Sequence, residues 1–151
     1  MKKRIGVTKN GFDVYVILDN EHMLAHASVK EELIAEAIPK ITFTPPHWMA
    51  AVEMGCIVGK NACVTVSADD DVRDECRPGR IYPSRIVYGK EPEDTSLLTV
   101  GLCTDDDGLC TVFTAFTGPK APKELADPTL KDGERAEAEA FWKTHALCAG
   151  F

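Results

Sequence analysis

Apolar positions recur every second residue in two short runs near the start of the chain, Ile5 to Thr8 and Phe12 to Leu18, with Lys9-Asn10-Gly11 between them. An Asn-Gly pair readily adopts the positive φ angles of a tight turn, so an opening hairpin is predicted. The period then lengthens. Ser28 and Glu31 have the spacing of a capping box, and Leu33, Ile34, Ala37 and Ile38 follow at helical spacing, predicting a helix over Val29 to Ile38 that ends near Pro39. Ile41 to Thr44 reads as an extended link. Pro45-Pro46 followed by His47 to Met54, with Trp48, Ala51 and Val52 on one stripe, predicts a second helix stopped by Gly55.

From Cys63 the period returns to two. Val64 and Val66 alternate with Thr65 and Ser67, a polar loop from Ala68 to Gly79 follows, and Ile81 to Tyr88 reads as the next strand. Ser96 to Cys103 and Leu109 to Thr117 are the clearest strand pair, joined by Thr104-Asp-Asp-Asp-Gly108 as a hairpin turn. Gly118 to Gly133 contains Pro119, Pro122 and Pro128 and reads as an arm across the surface, and Glu134 to Leu147 closes as an amphipathic helix. The fold class predicted is α+β: N-terminal helices packed on an antiparallel β-sheet of about four strands, with room for an opening hairpin in front and a C-terminal helix behind.

Composition narrows the picture. A chain of 151 residues with 44% hydrophobic content suits a single globular domain, 1–151. Its apolar runs are a few residues long against the roughly 20 that a membrane-spanning helix needs, and the basic start Met1-Lys2-Lys3-Arg4 is not followed by an apolar segment. A cytoplasmic location is expected. Cys56, Cys63, Cys76, Cys103, Cys110 and Cys148 sit mostly among apolar or small neighbours and read as reduced, buried thiols, and none forms a zinc-knuckle spacing with another. The net charge of −7 argues against a protein that coats nucleic acid by general attraction, so any RNA contact has to be local.

Phosphate-loop, dinucleotide-binding, two-histidine metalloprotease and nucleophile-elbow patterns are all missing. The candidates are therefore individual side chains. His26 precedes the Ser28 cap, where helix amides favour an anion; its bland alternative is a loop histidine. His47, in the first turn of the predicted second helix, is read as a cap or phosphate contact, and His145 as a core histidine or a substrate contact. Arg85 should project from one face of a strand, where a fixed guanidinium suits a charged transition state; a cross-strand ion pair is the structural alternative. Arg73, Arg77 and Arg80 form a small basic lip beside it. Thr114 and Thr117 should point to opposite faces of the last strand, with Thr114 sharing its face with Val112 and Phe116, so that Phe116 could stack a base while Thr114 positions a phosphate.

The order of elements, Arg85 on a middle strand and the closing strand Val112-Phe-Thr-Ala-Phe-Thr-Gly118 together resemble the superfamily that groups barnase, EndoU-type nucleases, colicin-type ribonuclease domains and RelE-like toxins, in particular its phage-associated branch. The resemblance spans about His26 to Gly118. It implies RNA cleavage by attack of a ribose 2′-hydroxyl on the adjacent phosphate, without metal or other cofactor. His26 would be the base or acid, Arg85 would stabilise the added charge, Thr114 would orient the phosphate, and Lys30, His47 or His145 would supply the second acid or base. The acidic charge and the helix after Pro128 depart from that pattern. The chain also looks like short bacterial proteins with strings such as His26-Ala-Ser-Val-Lys-Glu-Glu-Leu33, to which no activity attaches.

Two other classes stay open. One is a non-enzymatic acidic module that covers a basic partner, such as an immunity or phage-defence protein meeting a toxin. The other is a small-molecule-binding domain with an apolar pocket lined by Trp48, Phe113 and Trp142. Oligomeric state is not legible.

Overall fold

The computed structural model describes residues 1–18 and 29–150. Over these residues the protein is mainly β, with three sheets and two α-helices. Its strands are β1 (Lys2–Val7), β2 (Asp13–Ile17), β3 (His47–Glu53), β4 (Gly59–Asn61), β5 (Cys63–Thr65), β6 (Asp71–Cys76), β7 (Pro83–Tyr88), β8 (Glu93–Thr95), β9 (Leu97–Thr104), β10 (Cys110–Thr117) and β11 (His145–Cys148). Helix α1 is Glu31–Ala37, continued by a 3₁₀ turn over Ile38–Lys40, and α2 is Asp132–Trp142. The chain divides into two compact units, Met1–Gly59 with Thr95–Lys120 and Lys60–Asp94 with Ala121–Phe151. The boundaries fall within β4 and β8, which pair with each other.

The first unit holds a mixed five-stranded sheet in the order β1-β2-β10-β9-β3. The predicted opening hairpin is there: β1 and β2 pair antiparallel across a turn in which Gly11 has φ 90°. Asn10 does more than turn the chain, because its side chain donates to Phe43 O at 2.8 Å and accepts from Phe43 N at 3.0 Å. β2 then pairs parallel with β10, Val14 opposite Cys110, so the sheet is mixed and not antiparallel throughout. β9 and β10 form the expected hairpin. Leu98, Val100 and Leu102 of β9 alternate onto one face and meet Ile34, Ala37 and Ile38 of the α1 region, all essentially inaccessible to solvent. Each such aliphatic side chain contributes about 1.5–3 kcal/mol by leaving water. Ser28, the expected helix cap, lies outside the described residues. The N-cap position is Lys30, which makes no side-chain cap.

The predicted helix over His47 to Met54 is instead strand β3, paired with β9 through all seven of its residues, from His47 opposite Cys103 to Glu53 opposite Leu97. Its Trp48, Ala51 and Val52 do share a helical stripe, but pairing along β9 satisfies the backbone and sends Ala50 and Val52 towards the core. A bulge at Phe113 changes the parity of β10. Val112 sits opposite Leu102 and Thr114 opposite Gly101, so Thr114 does not share a face with Val112 as expected, although it does with Phe116.

The second unit holds a four-stranded sheet, β5-β11-β7-β6, again mixed: β11 runs parallel to β7 and antiparallel to β5. Two strands expected in one meander with β9 and β10, namely β5 and β7, therefore belong to a separate sheet. The C-terminal helix is shorter than predicted. It stops at Trp142, and His145–Cys148 becomes the inner strand β11, whose Ala146 and Cys148 are fully buried. The segment Ala68 to Gly79, expected as loop, contains edge strand β6. Ala138 and Trp142 of α2 pack with Leu130, Leu147 and Cys63. Trp142 Nε1 donates to Lys123 O at 3.1 Å and so fastens the Pro-rich arm to the helix.

Candidate functional site

Arg85 lies on β7 as the alternation predicts, half-buried, and its Nε donates to the carbonyl of His145 on the neighbouring β11 at 3.2 Å. That bond fixes the guanidinium relative to the sheet. Among the described residues Arg85 forms no other hydrogen bond and no ion pair. Its register partner on β6 is Asp74, directly opposite, so the two side chains share a face. The cross-strand ion pair offered as a structural role for Arg85 is nevertheless not formed, and Asp74 is itself exposed and without a partner among the described residues.

These two residues line a cleft of about 350 Å³. Pro83, Leu125, Ala126 and Trp142 give it apolar walls, and Glu124 adds a second carboxylate. Glu124 is held in place. Its Oε2 accepts from Arg77 Nη2 at 3.2 Å, Arg77 Nε donates to Ser84 Oγ at 3.2 Å, and Glu124 Oε1 is enclosed with no hydrogen-bond partner. Tyr82 lies in the same field: burial pushes its hydroxyl above the usual range, Glu124 and Asp127 add to the shift, and Arg80 and Arg77 oppose it. The expected basic lip is therefore partly real, since Arg77 and Arg80 stand near Tyr82, but Arg77 is already engaged by Glu124. Arg73 is turned to Asp71 at 2.8 Å and to the Tyr88 ring at 4.5 Å.

Of the remaining predicted site residues that are described, His145 belongs to the second unit. His26 lies outside the described residues. Lys30 is exposed at the start of α1, in the first unit. His47 is on edge strand β3, not in a helical turn, and its ring rests on Phe113 at 4.5 Å, so neither the helix-cap role nor a helix-borne phosphate contact applies. Thr114, 7% exposed, and half-buried Phe116 lie within β10 of the first unit, whereas Arg85 belongs to the second. His145 touches the site through its carbonyl. Its Nδ1 lies 2.9 Å from Phe141 O and 3.0 Å from Thr144 Oγ1, and its ring stacks on Phe141 at 3.9 Å.

Of the aromatic trio expected around a pocket, Trp142 lines the cleft while Trp48 and Phe113 belong to the first unit. A shallower hollow in that unit, by Lys3, Arg4 and Glu31, has both of its cations matched, Lys3 to Glu31 at 2.7 Å and Arg4 to Asp13 at 2.8 Å. The six cysteines are free thiols. Cys110 and Cys148 are buried as expected, but Cys56 and Cys76 are exposed, and burial pushes Cys63 and Cys110 up to about 11, which suppresses thiolate chemistry. Among the described residues no cluster of His, Cys, Asp and Glu could hold a metal ion, and no helix is long and apolar enough to cross a membrane.

Sequence reasoning missed Asp74 and Glu124. Asp74 was assigned to a solvated loop because β6 is a charged edge strand, and Glu124 stands in a Pro-rich arm with no periodicity to read.

No family model matches the chain, and no curated protein matches it. Among solved structures it is similar to a conserved hypothetical protein from Toxoplasma gondii ME49, with 11% identity and a TM-score of 0.51, over 85% of this chain and 92% of that one. At that identity the likeness is one of fold.

Proposed function

We propose that the protein binds a small organic molecule bearing a carboxylate or phosphate, held by Arg85 in the cleft of the second unit. The observation that carries this reading is a guanidinium anchored through Nε, with its terminal nitrogens unmatched among the described residues, in a partly apolar cleft of about 350 Å³. Ligand sites are typically such concavities, apolar with a few fixed polar groups, and an Arg fork matches a carboxylate or phosphate through two parallel bonds. Hydrogen bonds to a charged group contribute about 1.5–3 kcal/mol each.

Titration calorimetry with monocarboxylates, dicarboxylates and phosphate monoesters tests the reading against Arg85→Gln. Binding to the wild type that Arg85→Gln weakens at least about tenfold, or roughly 1.4 kcal/mol, is the expected result. Equal affinity in both proteins would overturn it.

Metal-independent RNA cleavage, implied by the barnase-like resemblance, is the second reading. The same unmatched guanidinium is what a phosphorane intermediate needs, with Asp74 as the accessible carboxylate beside it. Its assay is end-labelled RNA in EDTA. Cleavage to 2′,3′-cyclic phosphate ends that stops in Arg85→Gln supports this reading, and intact RNA at micromolar protein disposes of it.

A further inference from the structure

We infer that the ligand of the Arg85 cleft is a zwitterion with an apolar side chain, such as a free α-amino acid of the leucine or phenylalanine kind. This rests on the small-ligand reading above and deepens it. Two opposite charges, Arg85 and Asp74, face the cleft from directly opposed positions on β7 and β6, yet they do not pair with each other. Cross-strand partners have Cβ atoms about 4.5–5.5 Å apart, so both charged heads lie within reach of one small molecule. An α-carboxylate accepts the Arg85 fork while the adjacent ammonium donates to Asp74. Neither charge then has to be drawn from a neighbour it already serves.

The rest of the cleft completes the chemistry. Leu125 is 39% exposed at its wall, and Ala126 and the indole of Trp142 continue the apolar surface. An aliphatic or aromatic side chain laid there withdraws its own surface and that of Leu125 from water, at about 25 cal/mol per Å². Glu124, paired with Arg77, sets a carboxylate beside this wall. A second carboxylate on the ligand would meet that charge, so leucine is favoured over glutamate, and a monoanion over a dianionic phosphate.

Calorimetry on the whole chain separates this inference from the reading under it. L-Leucine, its deaminated analogue 4-methylpentanoate and its decarboxylated analogue 3-methylbutylamine are titrated into wild type, Asp74→Asn and Arg85→Gln. Leucine is expected to bind at least about tenfold more tightly than either analogue. Asp74→Asn should erase the advantage over 4-methylpentanoate without weakening the acid itself, and Arg85→Gln should weaken both. If 4-methylpentanoate binds as tightly as leucine and Asp74→Asn changes nothing, the zwitterion inference fails while the anion site stands. If no carboxylate binds and Arg85→Gln behaves as wild type, both fail together. Circular dichroism of the variants, which replace surface-facing heads and not core atoms, identifies any loss due to misfolding, and Asp74→Glu then serves as the second variant with affinity for the ammonium retained.

Discussion

At the scale of single residues, close approach is as informative as charge. Gly101 sits in β9 where β3 and β10 flank it, and a Cβ there would come within 2.6 Å of Phe113 Cζ and 2.7 Å of both Met49 Sδ and Thr114 Cγ2. The phenyl and thioether ends can swing away, but the Thr114 methyl sits on a branched Cβ inside the sheet and has little freedom. Gly101→Ala is therefore expected to destabilise the protein by about 1–3 kcal/mol, measured as a lower urea midpoint at unchanged slope. Arg85 was legible because period-two alternation says which residues leave a strand face. Asp74 was not, since its relevance arises from the register of β6 against β7, which sequence alone does not set. Glu124 is harder still: what makes it notable, a carboxylate clasped by Arg77 with one oxygen enclosed, is created by tertiary packing of the arm.

At the scale of elements, α2 and the arm before it are one device. Trp142, 3% exposed, plugs the space under the arm and donates to Lys123 O, and Lys131 N donates to Glu134 Oε1 at 3.1 Å at the start of the helix. Trp142→Phe removes the donor, leaves the carbonyl unmatched and opens space. A loss of about 1–3 kcal/mol is expected by chemical denaturation followed by circular dichroism, with faster proteolysis between Ala121 and Thr129. The elements that sequence located well, the β1–β2 and β9–β10 hairpins, carry local turn chemistry in Asn10-Gly11 and Asp105 to Gly108. The misread ones do not. His47–Glu53 has alanines and a helical stripe that favour a helix in isolation, but β9 offers seven register partners, and pairing outweighs a propensity of a few tenths of a kcal/mol per residue. His145–Cys148 hides a two-residue period, Ala146 and Cys148 inward, at the end of a helical run, and it is short enough for either pattern to fit.

At the scale of the whole molecule, the acidic balance sets how the fold responds to pH. Hydrogen bonds from Ser96 and Gly55 hold Glu53 below the usual carboxylate range, Ser67 does so for Asp70, the Arg73 guanidinium for Asp71, the Lys2 ammonium and the Leu109 amide for Asp105, and Thr129 for Asp127. A carboxyl whose folded value lies below its unfolded one contributes stability that is fully present above the unfolded value and is lost as pH falls through the folded one. The melting temperature is therefore expected to stay level from neutral pH down to about 5 and to decline progressively below about 4, as followed by calorimetric scans. Glu53 and Asp71 are exposed, so their share of the decline should be shallower at high salt. A Tm that falls between pH 7 and 6 would point to a different titrating group.

The parallel pairing of β2 with β10 also orders events in time. A ribosome delivers Val14 long before Cys110, so β2 has only β1 beside it while most of the chain is still being made. The second sheet waits longer, because β11 lies between β5 and β7, and until Cys148 emerges nothing joins those strands. Neither sheet can close piecemeal on a nascent chain. Until the late strands arrive, β2, β5 and β7 each keep an edge without its final partner, and slow translation across residues 1–109 would lengthen that exposure without advancing the fold.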